Sequence, residues 1–248
     1  MKRLVILLLG FLVCLIASAG FAQTGAKELV VFAGAGLREP LDEIGKRFEE
    51  QHGVKVIYDY EGSGTLSNKM LLGQVPDVFI PGSDKWVRLL KEKGLIKDFT
   101  PVAYHTPVII TLKENNTIRS IKDFTHPDHR LVLGDAKATA IGDASSIIFQ
   151  KAGLLESKMN IKARGLTVKQ LLLWVEENNA DASIVWKTDA LQSPKVRVIE
   201  IPKDYNYINL IPVCRMMKDN ERAQAYLQYV LSAEGKAIFT KYGFEVMK

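Results

Sequence analysis

Val54-Lys55-Val56-Ile57-Tyr58-Asp59-Tyr60-Glu61-Gly62-Ser63-Gly64-Thr65-Leu66-Ser67-Asn68-Lys69-Met70 is the stretch that decides how this chain reads. Its first seven residues are rich in β-branched and aromatic side chains and predict a strand. Gly62-Ser63-Gly64 is a turn, and Thr65, Leu66, Met70 and Leu71 open a helix. In that order, the free N–H groups of the helix's first turn point out beyond the carboxyl end of a sheet. With the helix dipole behind them they form an anion site. The glycines let a ligand come close to the backbone, and Ser63 adds a hydroxyl donor. The expectation is a chain arranged to build this pocket and a second one facing it.

The same alternation extends to either side. Lys27-Glu28-Leu29-Val30-Val31-Phe32-Ala33 predicts a first strand, apolar enough to be covered on both faces. It runs into Gly34-Ala35-Gly36, and Leu41, Ile44 and Phe48 then take helical spacing up to a stop at His52-Gly53. Gly73 and Pro76 break the helix after Ser63; Asp77-Val78-Phe79-Ile80 is a short strand, and Ser83 is placed to cap a mixed-charge, solvated helix over 85–93. These units predict parallel βαβ connections. Residues 103–112 read as one extended crossing to a second lobe, where the pattern repeats. Leu131-Val132-Leu133-Gly134-Asp135 is a strand, 138–144 a loop, 145–151 a helix. A helix opens at Leu166-Thr167-Val168, and Ala182-Ser183-Ile184-Val185-Trp186 is a strand. Residues 196–201 add a strand, 208–216 cross back, and one long amphipathic helix runs from Ala223 to Phe239.

Composition narrows the class. The 248 residues are 47% hydrophobic and 25% charged, which suits a globular α/β chain. Lys2 and Arg3 precede an apolar run over 4–16 and then small residues, the order of a secretory leader, with cleavage expected after Ala22. Cys14 lies in that run, so the mature chain keeps only Cys214, which reads as a buried small hydrophobe and rules out an internal disulfide. The net charge of +5 falls to +3 once Lys2 and Arg3 are removed, with both signs interspersed. That pattern excludes a nucleic-acid footprint.

Four loops stand at strand-to-helix junctions: Gly34-Ala35-Gly36, Gly62-Ser63-Gly64, Ile141-Gly142-Asp143 and Thr188-Asp189. Ligands of open α/β sheets bind outside the carboxyl ends of the strands, and two lobes facing each other there enclose a cleft. Neutral amides and hydroxyls can hold an anion in it. Each loop taken alone reads first as a plain connection and only second as a ligand loop. Catalytic readings fare worse. Ser63 lacks the glycine two residues before it that a nucleophile elbow requires. His52, His105, His126 and His129 have no metal-ligand spacing and read as surface histidines. Trp174 reads as core, and Trp186 as either core or cleft wall.

Further motifs carry a family resemblance. Val31-Phe32-Ala33-Gly34-Ala35-Gly36-Leu37, then Gly62-Ser63-Gly64-Thr65-Leu66 with Pro76-Asp77-Val78-Phe79-Ile80, look like an opening strand, two ligand loops and a third strand. Thr167-Val168-Lys169-Gln170 and Ala180-Asp181-Ala182-Ser183-Ile184-Val185-Trp186-Lys187-Thr188-Asp189-Ala190 look like a second-lobe signature; Ser232-Ala233-Glu234-Gly235 through Tyr242-Gly243-Phe244 looks like a C-terminal helix. Nearly the whole mature chain resembles the periplasmic molybdate-binding proteins of ABC importers, a branch of the type II periplasmic solute-binding proteins.

The resemblance implies an α/β fold of two lobes, each a mostly parallel sheet flanked by helices, joined by a two-crossing hinge. The expected boundaries are a leader over 1–22, one discontinuous lobe from 23–106 plus 205–248, and a second over 107–204. It implies a non-enzymatic, monomeric periplasmic protein that needs no cofactor. Such a protein passes molybdate or tungstate to an inner-membrane permease and its ATPase. The ligand contacts carried over are Gly36, Ser63, Ile141, Val168 and Trp186, with the metal of the oxyanion held through its oxygens at Ser63 and Val168. Ala35, Arg38, Gly64 and Lys187 are additional candidates, Arg38 and Lys187 as counter-charges. The family commonly has Ser at the position of Gly36 and Tyr at that of Trp186, which removes two hydroxyls. Space at Gly36 would then suit a larger organic or phosphorylated anion, and Asp143 would accept the proton of a phosphate. An exported adhesin-like protein on the same fold, and a hydrolase using Ser63, are the remaining alternatives.

Overall fold

The computed structural model describes residues 27–248, so the expected leader lies outside the described residues. The chain starts along β1 (Lys27–Gly34), turns through a short 3-10 segment at Ala35–Leu37 and enters α1 (Arg38–His52). Leu41, Ile44 and Phe48 form the buried stripe of α1, and Gly53 ends it in the left-handed region at φ 63°. β2 (Val54–Glu61), α2 (Ser63–Leu71), β3 (Val78–Ile80), α3 (Lys85–Glu92) and β4 (Ile96–His105) follow. The chain then crosses into β5 (Pro107–Leu112), β6 (Leu131–Gly134), α4 (Ala140–Lys151), β7 (Ile161–Gly165), α5 (Val168–Glu176), β8 (Ser183–Trp186), α6 (Lys187–Leu191) and β9 (Val196–Glu200). It returns along β10 (Asn209–Met216) and ends in α7 (Glu221–Leu231) and α8 (Ala233–Lys241).

The strands fall into two groups. One sheet has the order β2-β1-β3-β10-β4; the other group comprises β8-β5-β9 and the pair β6-β7, joined by a bridge between Leu131 and Ala182. We call the first sheet with its helices the first lobe and the rest the second. Leu29, Val31, Leu41, Phe48, Tyr226 and Phe239 pack in the first; Ile109, Phe124, Leu133, Phe149, Leu171 and Ile184 pack in the second. Free Cys214 is buried in the first lobe, as its apolar neighbours predict.

Three expectations change. β1 pairs in parallel with β2 and β3, but β10 runs antiparallel to β3 and β4, and β5 runs antiparallel to β8 and β9. The cause is the double crossing: the chain leaves the first lobe along β4 and re-enters along β10 beside it. The extended segment 103–112 is likewise two strands, each in its own sheet, separated at Thr106. α3 keeps its charged face in solvent, as its mixed charge predicts, with Lys85, Arg88, Lys91 and Glu92 exposed; its other face buries Trp86, Val87 and Leu90, and Trp86 packs into the second lobe's core.

The third change is the C-terminal helix, which is two. Ser232 leaves the helical region at ψ 169°, and its hydroxyl accepts from the Gly235 amide to cap α8. Ser232 also donates to the Tyr229 carbonyl at the end of α7, so one side chain serves both helix ends. Ser232→Ala is expected to cost about 1 kcal/mol, read as a lower urea midpoint with an unchanged slope.

Candidate functional site

Helix amino ends from both lobes meet over one small cavity. Gly34, Ala35, Gly36, Glu61, Gly62, Ser63, Gly82 and His105 line it from the first lobe. Thr139, Ala140, Ile141, Thr167, Val168 and Trp186 line it from the second, around about 270 Å³ of empty space. Gly36, Ser63, Ile141, Val168 and Trp186, together with Ala35, are therefore neighbours although they span 150 residues of sequence.

Local capping explains which amides face the cavity. Thr139 precedes α4 and its hydroxyl accepts from the Gly142 amide at 2.9 Å; Thr167 does the same for Gln170 at 3.3 Å before α5. Those caps satisfy the third amide of each helix and leave the amides of Ile141 and Val168, in the first turns, uncapped. α4 therefore begins earlier than the expected 145, because Thr139 supplies a cap that lies inside the expected loop. Ser63 is the first residue of α2, which no side chain caps. Its hydroxyl oxygen accepts from the Gly82 amide at 2.9 Å, so its proton is free for another acceptor.

The lobes are closed on each other. The amides of Gly64 and Thr65 donate across the cleft to the Ala138 carbonyl, at 2.9 and 3.2 Å. Here the two glycines of the Ser63 turn find their use. A Cβ on Gly64 would stand 1.9 Å from the Lys137 carbonyl oxygen, and one on Gly62 would stand 2.4 Å from that of Ala138. Two ion pairs flank this contact: Lys85 with Asp143 at 2.5 Å, and Lys169 with Glu39 at 2.6 Å. Lys169 also lies 2.8 Å from the fully buried Asp189. Burial pushes the Asp189 carboxyl up to about 6 against the pull of Lys169. Burial also works against the Lys169 charge, yet Asp189 and Glu39 outweigh it and hold its pKa above the usual lysine value.

The structure places several expected residues elsewhere. Arg38 lies over the Tyr60 ring at 4.3 Å, and Lys187 pairs with Glu200 at 2.6 Å; neither lines the cavity. Gly64 is an interlobe contact. Asp143 is held by Lys85 instead of facing the cavity. Thr188 and Asp189 are buried behind Trp186. No space is left at Gly36: a Cβ there would meet Asp189 Oδ2 at 2.9 Å, Trp186 Cδ1 at 3.0 Å and Val168 Cγ1 at 3.3 Å. Gly36 and Trp186 are thus one exchange of volume, the indole occupying the room a side chain at 36 would need.

His105 corrects the reading of the histidines. It is 1% exposed, lines the cavity, and stacks on Trp186 with ring centroids 3.8 Å apart and 13° between planes. Its Nδ1 lies 3.2 Å from the Gly82 carbonyl oxygen. Burial pushes its pKa down to about 3, with the Gly82 hydrogen bond opposing. The signal for it was its position at the crossing, directly before Thr106-Pro107. Among the described residues, no group of three or more His, Cys, Asp or Glu is placed to hold a metal ion, and no helix is long and apolar enough to cross a membrane.

Two substitutions test this geometry. Gly64→Ala keeps a residue suited to a helix but removes the close approach; the chain is expected to fold and to lose ligand-induced compaction in small-angle scattering. Gly36→Ser alone is expected to cost about 1–3 kcal/mol through overpacking, and less in combination with Trp186→Tyr than the sum of the single changes, measured by urea denaturation.

Comparison with known proteins gives the same picture. A family model described as bacterial extracellular solute-binding protein matches residues 29–245. A putative binding protein of Haemophilus influenzae is 31% identical over 225 residues, covering 88% of this chain and 91% of the relative. The molybdate-binding protein ModA of the same organism is 27% identical over 241 residues, covering 93% and 94%. The solved periplasmic molybdate-binding protein of Azotobacter vinelandii superposes with a TM-score of 0.76 at 16% identity, covering 89% of this chain and all of that one. With its two lobes, its double crossing and a family match across almost every described residue, this chain belongs to the bacterial extracellular solute-binding proteins.

Proposed function

We propose that the protein captures a small tetrahedral oxyanion, molybdate or tungstate, in the interlobe cavity outside the cytoplasm and hands it to an ABC permease and its ATPase. The observation that carries this reading is the meeting of three helix amino ends, those of α2, α4 and α5, at one small cavity with the free proton of Ser63. Among the described residues no arginine or lysine lines the cavity, so the anion is held by dipoles whose positions are fixed before it arrives. The likeness to ModA over most of the chain supports the same ligand class.

Capture works by closure. Ser63 belongs to the first lobe, and Ile141 and Val168 to the second, so an anion touching all three stabilises the closed arrangement over an open one. Glu39, Lys169, Lys85 and Asp143 add charge pairing that only the closed arrangement makes. These pairs are partly exposed, so each contributes little by itself. They guide the lobes together while the ligand decides the equilibrium. The permease then reads the closed form. Bond-making on the ligand is not part of this mechanism.

A thermal-shift panel tests the reading. Ligand at about a hundredfold over its dissociation constant adds about 2.7 kcal/mol and raises the melting point by roughly 5–11 °C. Molybdate and tungstate are expected to do so with sulfate silent; a response confined to organic phosphates or carboxylates would replace them with that ligand class. Ser63→Ala is expected to weaken molybdate binding roughly ten- to a hundredfold, the worth of one hydrogen bond to a charged ligand.

A further inference from the structure

Besides its hydroxyls, two side chains that can accept line a cavity otherwise rich in helix-end amides: Glu61, which Lys69 holds, and His105. His105 Nδ1 faces the Gly82 carbonyl, and a carbonyl oxygen only accepts, so the ring's hydrogen sits on Nδ1. In the neutral ring Nε2 then carries a lone pair. That atom is buried and has no hydrogen-bond partner among the described residues. The ring cannot swing away, because the Gly82 contact fixes one edge and the Trp186 indole covers one face. His105 lines the cavity, and an anion bound against this unpartnered acceptor is repelled unless a proton stands between them.

We propose that His105 is a specificity-determining contact: an oxyanion in this cavity binds with one proton held between it and His105 Nε2. This rests on the oxyanion reading above and adds to it that capture of a fully deprotonated dianion, such as molybdate, takes up one proton from solvent. The proton bonds to Nε2, giving an imidazolium with both N–H groups donating, one to the Gly82 carbonyl and one to the anion. The Trp186 ring stacked on it is a favourable neighbour for that charge. An anion carrying its own hydroxyl brings the proton with it and takes up none.

The surroundings leave this proton exchange to the ligand. Burial keeps the free imidazole neutral near pH 7. Gly82, Ala140, Trp186, Phe244 and the cross-strand neighbour Asn209 carry no charge. Glu61, on the cavity wall, is taken by Lys69 at 2.5 Å, and Asp189, against Gly36, is taken by Lys169. A doubly negative ligand at hydrogen-bond distance is then the dominant charge near the ring; proton uptake at pH 7 requires it to lift the ring's pKa from about 3 to above 7, which two negative charges that close in a buried site supply. While the pH lies between the free and bound values, affinity falls tenfold per pH unit.

Calorimetric titration of the full chain with molybdate tests this, run at pH 7 in buffers of different ionisation enthalpy and repeated up to pH 9. Uptake of about one proton per bound anion and an approximately tenfold weaker dissociation constant per pH unit are expected. His105→Gln, which puts a fixed amide donor in place of the ring, is expected to abolish the uptake and flatten the pH profile. Should that variant fold poorly, nitrogen-15 NMR of histidine in the wild type reads the same event, Nε2 changing from unprotonated to protonated on saturation. Molybdate binding with no proton uptake and an unprotonated Nε2 overturns the linkage and leaves the oxyanion reading standing. Absence of binding to molybdate, tungstate, sulfate and phosphate overturns both.

Discussion

The rest of the structure depends on one electrostatic constraint. Amino ends of helices from two separate sheets point at the same small volume, and their uncapped amides need an acceptor. In the closed chain part of that need is met internally, by the Ala138 carbonyl taking the Gly64 and Thr65 amides. The remainder, at Ser63, Ile141 and Val168, surrounds a cavity. In the proposed function a negatively charged guest completes an arrangement that neither lobe satisfies alone. The chain crosses between the lobes twice, at Thr106 and over 201–208, and the two cores are largely separate.

Closure also gives the glycines their meaning. Gly62 and Gly64 lie in backbone conformations other residues adopt, so no turn requires them. They are required because the Lys137 and Ala138 carbonyls come within side-chain distance of them. Gly36 is fixed by the same logic from the other direction: Trp186 and Asp189 fill the space its side chain would occupy. The indole lies flat on His105, and both residues line the cavity.

Much of this was legible in the sequence, and the reasons differ by residue. The strand before Gly62, the helix stop at Gly53 and the buried Cys214 follow from local pattern, and the structure has them. That Ile141 and Val168 face Ser63 is not contained in any local pattern; the family resemblance carried it. The antiparallel course of β4 and β10 was missed because alternating strands and helices look alike whichever way a crossing strand runs. The break at Ser232 was missed because the apolar stripe continues through it. Arg38 and Lys187 looked like counter-charges because charge can be read along a chain, whereas Tyr60 and Glu200, which hold them, are distant in sequence. His105 was hidden for the opposite reason: a lone histidine beside a proline carries no motif, and only its burial against Gly82 and Trp186 makes it part of the site.

Anomalous scattering at a tungsten absorption edge, from crystals grown with tungstate, tests the central claim most directly. The account predicts one strong peak in the interlobe cavity, with anion oxygens within hydrogen-bond distance of Ser63 Oγ and the amides of Ile141 and Val168. A peak elsewhere on the molecule, or a closed cleft with none, would contradict it.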